Sequence, residues 1–350
     1  MNNLYTYVIY QLLGGVRYIT RTEMILNEKK TKNKRVLRTI GIFILTFIIS
    51  MMILSTGLVA MIRFGVFPEI RQLLVETAMT TMNHQYIAKI FADEDTIKEI
   101  MAQNKITPVG NSDKSAIHPI GKNDDGIEMV NIKGPNYKGK LLIVKDASRL
   151  DMGISSNLGK TGEQVLDIVK NNHAVAGING GGFLDVDGKG NGGTPLGILI
   201  KDYKVLRADP AGSYSLVGMD KNNILVLGNY TLSQIKKMNI KFGVSFEPFL
   251  IVNGVPSIKS GNGGWGIQPR TVIGQRRDGT ILFLVIDGRQ TSSIGATLRE
   301  AQDIMLKYGA YNAANLDGGA SSTFVYQNKI QNSPSSVYGP RYVPSAFIIK

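Results

Sequence analysis

Two aspartates that each follow an apolar run are the first candidates for chemistry in this sequence. Asp287 comes directly after residues 281–286, and Asp317 comes directly after residues 311–316. A carboxylate at the end of a buried strand is partly removed from water, so it needs a compensating partner. Carboxylates in such settings act as nucleophile or proton carrier when glycosidic bonds are cleaved. Asp287 and Asp317 are therefore candidate catalytic residues.

Two arginines are candidates for binding an anion. Arg289 lies two residues after Asp287, so an extended backbone places both side chains on one face. Arg270 follows Pro269 at the start of another apolar segment. A guanidinium group binds phosphate oxygens through two parallel hydrogen bonds. The two arginines and the two aspartates together suit a sugar next to a phosphate, although Asp287 could instead cap its own turn and pair with an arginine.

Glycine-containing turns follow three of the apolar segments. They are residues 179–183 (Asn-Gly-Gly-Gly-Phe), 287–289 and 317–319. Glycine permits positive φ angles and close backbone approach, which exposes amides to a phosphate or to a developing oxyanion. Three such segments predict one shared pocket, while a tight structural turn explains a single run of glycines equally well. The residues expected to bind substrate there are Asn179, Gly180, Gly181, Phe183, Trp265, Asn315, Gly318, Gly319, Ser322 and Thr323.

Other polar and aromatic side chains have both a chemical and a structural interpretation. Trp265, in a glycine-rich loop, is placed either to stack on a sugar ring or to pin that loop. The hydroxyl groups of residues 321–323 lack a Gly-x-Ser-x-Gly context and a histidine base, so we expect them to hydrogen-bond the turn at Asp317. His173 precedes an apolar strand and is expected to be structural.

The sequence predicts no cofactor. It contains no cysteine, which excludes disulfides, thiolate nucleophiles and Cys-ligated metals, and its three histidines show no paired spacing. The glycine motifs that bind nucleotide phosphates in P-loop and dinucleotide-binding proteins are also missing from the sequence. Asp185, Asp187 and Asn191 could supply oxygen ligands to a divalent metal, but their spacing matches no known calcium loop. The metal ligands therefore stay unassigned.

The net charge of +13 bears on location and partners. Residues 1–38 are predicted to form a basic cytoplasmic tail, and residues 39–62 are uncharged and long enough to cross a membrane as a helix. That length favours an uncleaved signal-anchor over a cleaved signal peptide or a buried core helix. The flanking charge places the C-terminal domain outside a single-pass cell membrane. The mildly basic remainder favours an anionic ligand or a cell surface, and no nucleic-acid partner is expected.

Residues 63–124 are predicted to form a helical stem and a linker. Pro68 suits the first turn of a helix, and apolar residues recur at helical spacing through residues 68–102. We expect this stripe to be a packing face, either on the domain, on the lipid interface or on a second copy of the chain. Self-association through residues 68–102 is therefore one alternative.

Residues 125–350 are predicted to form an α+β domain, with a mixed β-sheet and a few packed helices. Hairpins are predicted around residues 201–203, 220–223 and 276–279. Capping-box spacings at Thr161 and Thr297 predict two helix starts. A helix, a short strand and a glycine-rich turn thus occur twice, in residues 161–183 and 297–319. We interpret this similar order of elements as a weak internal similarity and not as a demonstrated repeat.

Four motifs of this domain resemble the phosphodiester glycosidase family. They are residues 176–183, 268–274, 285–289 and 315–323, in this order along the chain. The resemblance covers residues 125–350 and implies a mixed α+β fold and a hydrolase that cleaves a sugar-1-phosphodiester. Bacterial relatives are associated with exopolysaccharide, which implies a surface glycopolymer or a related glycan as substrate. Gly182 stands where many relatives have a second aromatic residue, so the pocket wall differs there.

The resemblance also implies roles for the candidate residues. Arg270 and Arg289 would hold the phosphate, which is already a good leaving group. Asp317 and Asp287 would serve as base or nucleophile and as ligand of a sugar hydroxyl, in an order that the sequence does not decide. Two other functions stay open: a non-catalytic module that binds phosphate-containing surface polysaccharide, and a structural subunit of a surface-polymer assembly.

Overall fold

The computed structural model describes residues 8–12, 15–81, 84–103, 106–120, 123–186, 189–336 and 338–350. The chain divides into two compact units, Met1–Val66 and Phe67–Lys350. The first unit contains the uncharged segment of residues 39–62, and the second contains every candidate site residue.

The first unit consists of a hairpin and one long helix. Strand β1 (Val8–Leu12) pairs with β2 (Gly15–Ile19), and helix α1 spans Arg21–Arg63. Thr20 caps α1, because its hydroxyl accepts from the Glu23 amide while the Glu23 carboxylate accepts from the Thr20 amide. Among the described residues, α1 is the one helix that is long and apolar enough to cross a membrane, by length and composition alone. It contains residues 39–62 and begins well before them, inside the predicted tail.

The second unit begins with the helices of the predicted stem. They are α2 (Pro68–Met79), α3 (Ala88–Phe91) and α4 (Glu94–Gln103). Pro68 lies in the first turn of α2, as predicted. Val75, Ala88 and Ile97 are buried in a small core that the three helices share. The predicted domain boundary at residue 125 and self-association through residues 68–102 stay predictions.

Three antiparallel sheets and a small strand pair form the rest of this unit. The seven-stranded sheet has the order β14 (Val255–Pro256), β13 (Phe249–Val252), β17 (Asn312–Asn315), β15 (Arg270–Gln275), β16 (Ile281–Ile286), β4 (Lys138–Val144) and β3 (Ile127–Lys133). One five-stranded sheet has the order β11 (Leu225–Tyr230), β10 (Tyr214–Asp220), β12 (Ile240–Ser245), β8 (Ile198–Lys201) and β9 (Lys204–Ala208). The other has the order β19 (Lys329–Ile330), β18 (Phe324–Tyr326), β7 (Ala176–Asn179), β21 (Ser345–Ile349) and β5 (Leu150–Ile154). The small pair is β20 (Tyr342–Val343) with β6 (Glu163–Gln164).

Strand β16 shows why the apolar run before Asp287 is continuous. Its residues Ile281, Phe283 and Val285 face a core in which side chains from all three sheets meet. Its residues 282, 284 and 286 face a second core, which lies between the seven-stranded sheet and helix α7 (Leu298–Lys307). A strand that is buried on both faces does not alternate between apolar and polar residues.

Helices α5 (Val165–Asn171), α6 (Leu232–Lys237) and α7 test the local sequence predictions. The capping box at Thr297 is confirmed, because its hydroxyl accepts from the Glu300 amide and the Glu300 carboxylate accepts in return. The capping box at Thr161 is wrong. Residues 163–164 are extended and pair with β20, so α5 starts only at Val165, after Gln164, without a side-chain cap. The three predicted hairpins are confirmed as β8–β9, β10–β11 and β15–β16.

The two helix–strand–turn segments come together in the fold. Helix α5 packs on β7, and helix α7 packs on β17, so each helix supports the strand that follows it. Strands β7 and β17 belong to different sheets, and both end at the same place in the molecule. The α+β class is confirmed, and its two glycine turns are brought side by side.

Candidate active site

The turn at Asp317 (residues 317–319) and the turn at Asn179 (residues 179–183) contact each other directly. Asn179 Nδ2 donates to the Asp317 carbonyl oxygen at 2.6 Å, and the Asp317 amide donates to the Gly180 carbonyl oxygen at 3.3 Å. These bonds join residues that are far apart in the sequence and lie in two different sheets. The shared pocket expected from the sequence therefore has a geometric basis at this junction.

Asn179 fastens this junction from inside the protein. Its side chain is fully buried, and its Oδ1 accepts from the Thr323 amide at 3.1 Å. Thr271 Oγ1 lies 2.9 Å from the same oxygen and 3.1 Å from Ser322 Oγ. Asn179, Ser322 and Thr323 were expected to bind substrate, but the structure uses their bonded atoms to hold the two turns together.

The glycines of the Asn179 turn serve close packing. Gly180 and Gly181 are buried, and both have negative φ angles. A Cβ atom on Gly180 would lie 2.5 Å from Ser345 Oγ, and one on Gly181 would lie 2.9 Å from Val244 Cβ. Both glycines therefore have a steric reason, which is the near approach of strands β21 and β12, and substrate binding by their amides stays a prediction.

Three buried polar atoms around the junction have no hydrogen-bond partner within the described part of the chain. They are Asn315 Oδ1, Thr323 Oγ1 and Ser345 Oγ. Buried polar groups are normally satisfied, so these atoms call for ordered water or a ligand. Asn315 and Thr323 thus keep a free polar atom each beside the candidate site.

The Asp317 carboxylate has an unusual environment for an aspartate. The side chain is half-buried, and burial raises its pKa to about 6. Ser321, which donates to the carboxylate, and the positive charge of Arg341 oppose this rise, while the negative charge of Asp185 adds to it. A carboxyl group whose pKa lies near neutrality is suited to proton transfer.

Arg341 and Asp185 are functional candidates that the sequence reasoning did not pair. Arg341 Nη2 lies 2.9 Å from Asp185 Oδ1, and both side chains are largely buried, with 16% and 15% exposure. The Arg341 guanidinium also lies over the Phe183 ring, 5.2 Å from its centroid. Arg341 was not singled out because nothing in its local sequence, Gly-Pro-Arg-Tyr-Val-Pro, indicates that it comes near Asp317.

The pair also bears on the metal ligands considered from the sequence. The Asp185 carboxylate is engaged by Arg341 and by the Gly190 amide, and the Asn191 side chain bonds to Lys160 and Gly193 backbone groups. Asp187 lies outside the described residues. The residues that the structure describes contain no group of three acidic or histidine side chains that could hold a metal ion.

Arg289 lies against the Asp317 turn. Its backbone is left-handed with φ 59°, and a Cβ atom on Gly319 would lie 3.2 Å from its Nη2. Gln268 Oε1 accepts from Arg289 Nε at 2.9 Å and from Nη2 at 2.6 Å. The residue is exposed, so its guanidinium is open to a ligand.

Asp287 has a supporting position. Its Oδ1 accepts from the Ser333 amide at 2.8 Å and from Asn332 Nδ2 at 3.1 Å, and the same Asn332 nitrogen donates to the Ser322 carbonyl oxygen. Burial raises the pKa of Asp287, and the bonds from Ser333 and Asn332 oppose the rise. Asp287 does not pair with an arginine in the described part of the chain, so that alternative is wrong; it orders residues 332–333 instead.

Arg270 is buried and bonded to the protein backbone. Its side chain donates to the carbonyl oxygens of Ala296, Trp265 and Gly266 at 2.8–3.0 Å, and the residue is 2% exposed. Burial and the nearby Arg289 lower its pKa to about 9, so it stays charged at neutral pH. Trp265 packs against the second core. The structure thus favours loop support by both residues over the predicted contacts with phosphate and sugar.

Comparison with known protein families identifies the family to which this chain belongs. A family model described as phosphodiester glycosidase matches residues 172–350, just over half of the chain. The chain belongs to the phosphodiester glycosidase family. The matched residues include both turns, both candidate aspartates and the three arginines discussed above.

Two proteins from other organisms are similar to parts of the chain. The SPbeta prophage-derived protein YomE of Bacillus subtilis (strain 168) is 31% identical over 196 residues, which cover 52% of this chain and 29% of that protein. N-acetylglucosamine-1-phosphodiester alpha-N-acetylglucosaminidase of Bos taurus is 42% identical over 69 residues, which cover 20% of this chain and 13% of the enzyme. The chain therefore spans less than a third of the length of either relative.

A solved structure confirms the phosphodiester glycosidase fold. The zebrafish N-acetylglucosamine-1-phosphodiester alpha-N-acetylglucosaminidase catalytic domain, auto-inhibited by its pro-peptide, matches with a TM-score of 0.57 and 22% identity. The match covers 69% of this chain and 88% of the zebrafish chain. At this identity the likeness shows the fold alone.

The arrangement combines one proton-exchanging carboxyl group with two guanidinium groups. Arg289 lies against Gly319 in the Asp317 turn, and the positive charge of Arg341 acts to lower the pKa of Asp317. Arginines on such a site stabilise negative charge that develops on a leaving phosphate.

Proposed function

We propose that this domain hydrolyses the bond between the anomeric carbon of a sugar and the oxygen of a phosphodiester. The observation that carries the proposal is the Asp317 carboxyl group, with its pKa raised to about 6, in a turn flanked by Arg289 and Arg341. Membership of the phosphodiester glycosidase family supports the same reaction class. The named activity of the bovine relative makes an N-acetylglucosamine 1-phosphodiester the first substrate to test.

The reaction assigns separate roles to the carboxylate and the arginines. Water adds to the anomeric carbon, the carbon–oxygen bond breaks, and its electron pair leaves with the phosphate oxygen. Asp317 takes the proton of the attacking water, or attacks first as nucleophile with water following. Arg289 and Arg341 stabilise the charge of the departing phosphomonoester. Asp287 supports the site through residues 332–333.

The test uses the full-length chain and N-acetyl-α-glucosamine 1-phosphate esterified to p-nitrophenol. Cleavage at the sugar carbon releases p-nitrophenyl phosphate, which turns yellow only after added phosphatase, while attack at phosphorus that expels p-nitrophenol gives colour at once. In ¹⁸O-labelled water, we expect the label in the free sugar. Label in the phosphate product would contradict the proposed bond cleavage.

The matched variants are Asp317→Asn and Asp303→Asn. Loss of a positioned proton carrier lowers rates about 10²–10⁴-fold, so we expect that loss for Asp317→Asn. Asp303 is exposed on α7, and its replacement should leave the rate unchanged. Full turnover by a folded Asp317→Asn protein would overturn the assignment. Binding without turnover by the wild type, across N-acetylglucosamine, glucose and galactose diesters, would favour a non-catalytic binding module.

We further infer that α1 anchors the domain on the extracellular side of the cell membrane. The uncharged residues 39–62 lie inside α1, and Lys and Arg are concentrated in the part of the chain that precedes residue 39. A domain facing outward would meet surface glycopolymers that contain sugar phosphodiesters. That class of polymer is the substrate source we propose.

A further inference from the structure

Helix α2 contacts the loop of residues 262–268, which leads into strand β15. The Ile267 amide donates to Thr77 Oγ1 at 3.1 Å, and Asn262 Nδ2 donates to the buried Glu76 carboxylate at 2.5 Å. Thr80 Oγ1 lies 3.3 Å from the Trp265 carbonyl oxygen. Polar contacts from the last turn of α2 and its C-cap therefore join this helix to the loop.

The contact between α2 and the loop is also tight at the backbone. Gly266 has φ +56°, and a Cβ atom there would lie 2.4 Å from Thr77 Cα. The Gly266 carbonyl oxygen accepts from Arg270 Nη2 at 2.8 Å, which holds the loop from its other side. A loop held between α2 and a buried arginine has little freedom to move independently of either.

Gln268 continues this contact to the site. Its Nε2 lies 3.4 Å from the Thr77 carbonyl oxygen and 3.5 Å from Thr80 Oγ1. Its Oε1 accepts both hydrogen bonds from the Nε and Nη2 edge of Arg289. Gln268 itself is 5% exposed, and its backbone pairs with Ala296. One buried carboxamide thus contacts α2 with one end and Arg289 with the other.

The orientation of Arg289 follows from this contact. Gln268 occupies the Nε–Nη2 edge, and no acceptor within the described residues bonds to Nη1. The Nη1 group and the second Nη2 hydrogen are therefore available to an anion as a pair. Without Gln268, the long arginine side chain would populate several rotamers, and binding would have to restrict them.

We propose that α2 is a structural part of the anion site, with Gln268 as the positioning residue that orients Arg289. Helix α2 lies outside the residues matched by the phosphodiester glycosidase family model, which begin at residue 172. This site therefore depends on a segment that directly follows α1 in the chain. The role of Arg289 in phosphate binding rests on the proposed function.

The test is a double-mutant cycle on the full-length chain with two readouts. One is the dissociation constant of inorganic phosphate by calorimetry, and the other is kcat and KM for the p-nitrophenyl sugar phosphodiester. We expect Gln268→Met and Arg289→Met each to weaken phosphate binding and raise KM about tenfold, and to lower kcat as well, because Arg289 also stabilises the charge of the departing phosphate. Gln268→Met should add nothing in the Arg289→Met background, because both act through one guanidinium. Gln268→Glu keeps the acceptor for Arg289 but removes the Nε2 donor toward Thr77 and adds a negative charge beside the guanidinium, so we expect it to weaken phosphate binding as well.

Two threonine variants test the contribution of α2. Thr77→Val removes the hydroxyl that binds the Ile267 amide and should raise KM in the same direction as Gln268→Met. Thr81→Val is the matched control, because the hydrogen bonds of the Thr81 hydroxyl within the described residues go to Ala78 and His84 and not to the loop. Thermal unfolding of each variant checks that it is folded.

The outcomes separate this inference from the proposed function. Phosphate binding that depends on Gln268 and Arg289 in a protein without hydrolytic activity would overturn the hydrolysis alone. Additive effects of Gln268→Met and Arg289→Met, or equal effects of Thr77→Val and Thr81→Val, would overturn the positioning role. A wild-type chain that neither binds phosphate nor hydrolyses the diester would overturn both.

Discussion

At the scale of single residues, burial separates the two candidate aspartates. Both carboxyl groups have raised pKa values because protein replaces water around them. The Asp287 Oδ1 atom accepts hydrogen bonds from the Ser333 amide and from Asn332 Nδ2, and these bonds fix the position of the carboxylate. The Asp317 carboxylate accepts from Ser321 and from the Gly318 amide, and the charges of Arg341 and Asp185 also act on it. Its pKa of about 6 makes Asp317 the carboxyl group that we propose for proton exchange with a substrate.

The pKa of Asp317 predicts the pH dependence of the reaction. If Asp317 acts as base or nucleophile, kcat/KM should fall about tenfold per pH unit below about pH 6 and level off above it. Since the folded pKa is raised, ionising Asp317 also lowers stability as the pH rises through about 6. The pH profile of kcat/KM tests the first statement, and Asp317→Asn should abolish the corresponding slope in the unfolding free energy. A rate that falls above pH 6 would identify Asp317 as an acid.

A second residue-scale prediction concerns Asp287. Asp287→Asn keeps an oxygen that can accept from Ser333, so we expect a stability loss of about 1 kcal/mol and less than a tenfold loss of kcat. Denaturant unfolding and turnover of the p-nitrophenyl diester measure the two effects. The comparison is with Asp317→Asn under the same conditions. A loss of kcat as large as that of Asp317→Asn would make Asp287 a reacting group.

At the scale of elements, the site depends on the junction between the ends of β7 and β17. Asn179→Ala would leave the Asp317 carbonyl oxygen, the Thr323 amide and the Thr271 hydroxyl without their buried partner. We expect a loss of about 2 kcal/mol or more of unfolding free energy. Chemical denaturation checks this value, with Asn222→Ala on an exposed turn as control. Equal stability of the two variants would show that the junction is held by other contacts.

The elements were largely predictable from sequence, and the contacts between them were not. Apolar runs and turn residues predict β16 and the three hairpins, because these depend on neighbours in the chain. The pairing of Arg341 with Asp185 and of Gln268 with Arg289 depends on which sheets pack together, which periodicity does not encode. The sequence shows glycines directly after Asn179, but it does not show why they are needed. They are needed because strands β21 and β12 pack closely against them, and this contact depends on how the sheets pack.

At the scale of the whole molecule, the orientation of α1 is open to direct test. A tag at the C-terminus should be cleaved by protease added to intact cells, and a tag at the N-terminus should be cleaved only after the cells are permeabilised. Replacing Lys29, Lys30, Lys32, Lys34 and Arg35 by glutamine should weaken this orientation. Release of the domain in soluble form without an N-terminal segment would instead indicate a cleaved signal peptide.

The two guanidinium groups beside Asp317 have a consequence for turnover. A phosphodiester has one negative charge, whereas the phosphomonoester left after hydrolysis approaches two at neutral pH. In the proposed reaction, Arg289 and Arg341 would therefore attract the product more strongly than the substrate, and the product would compete with Asp185 for Arg341. Departure of the phosphomonoester would limit the rate at neutral pH, and the enzyme would slow as its own product accumulates in its surroundings.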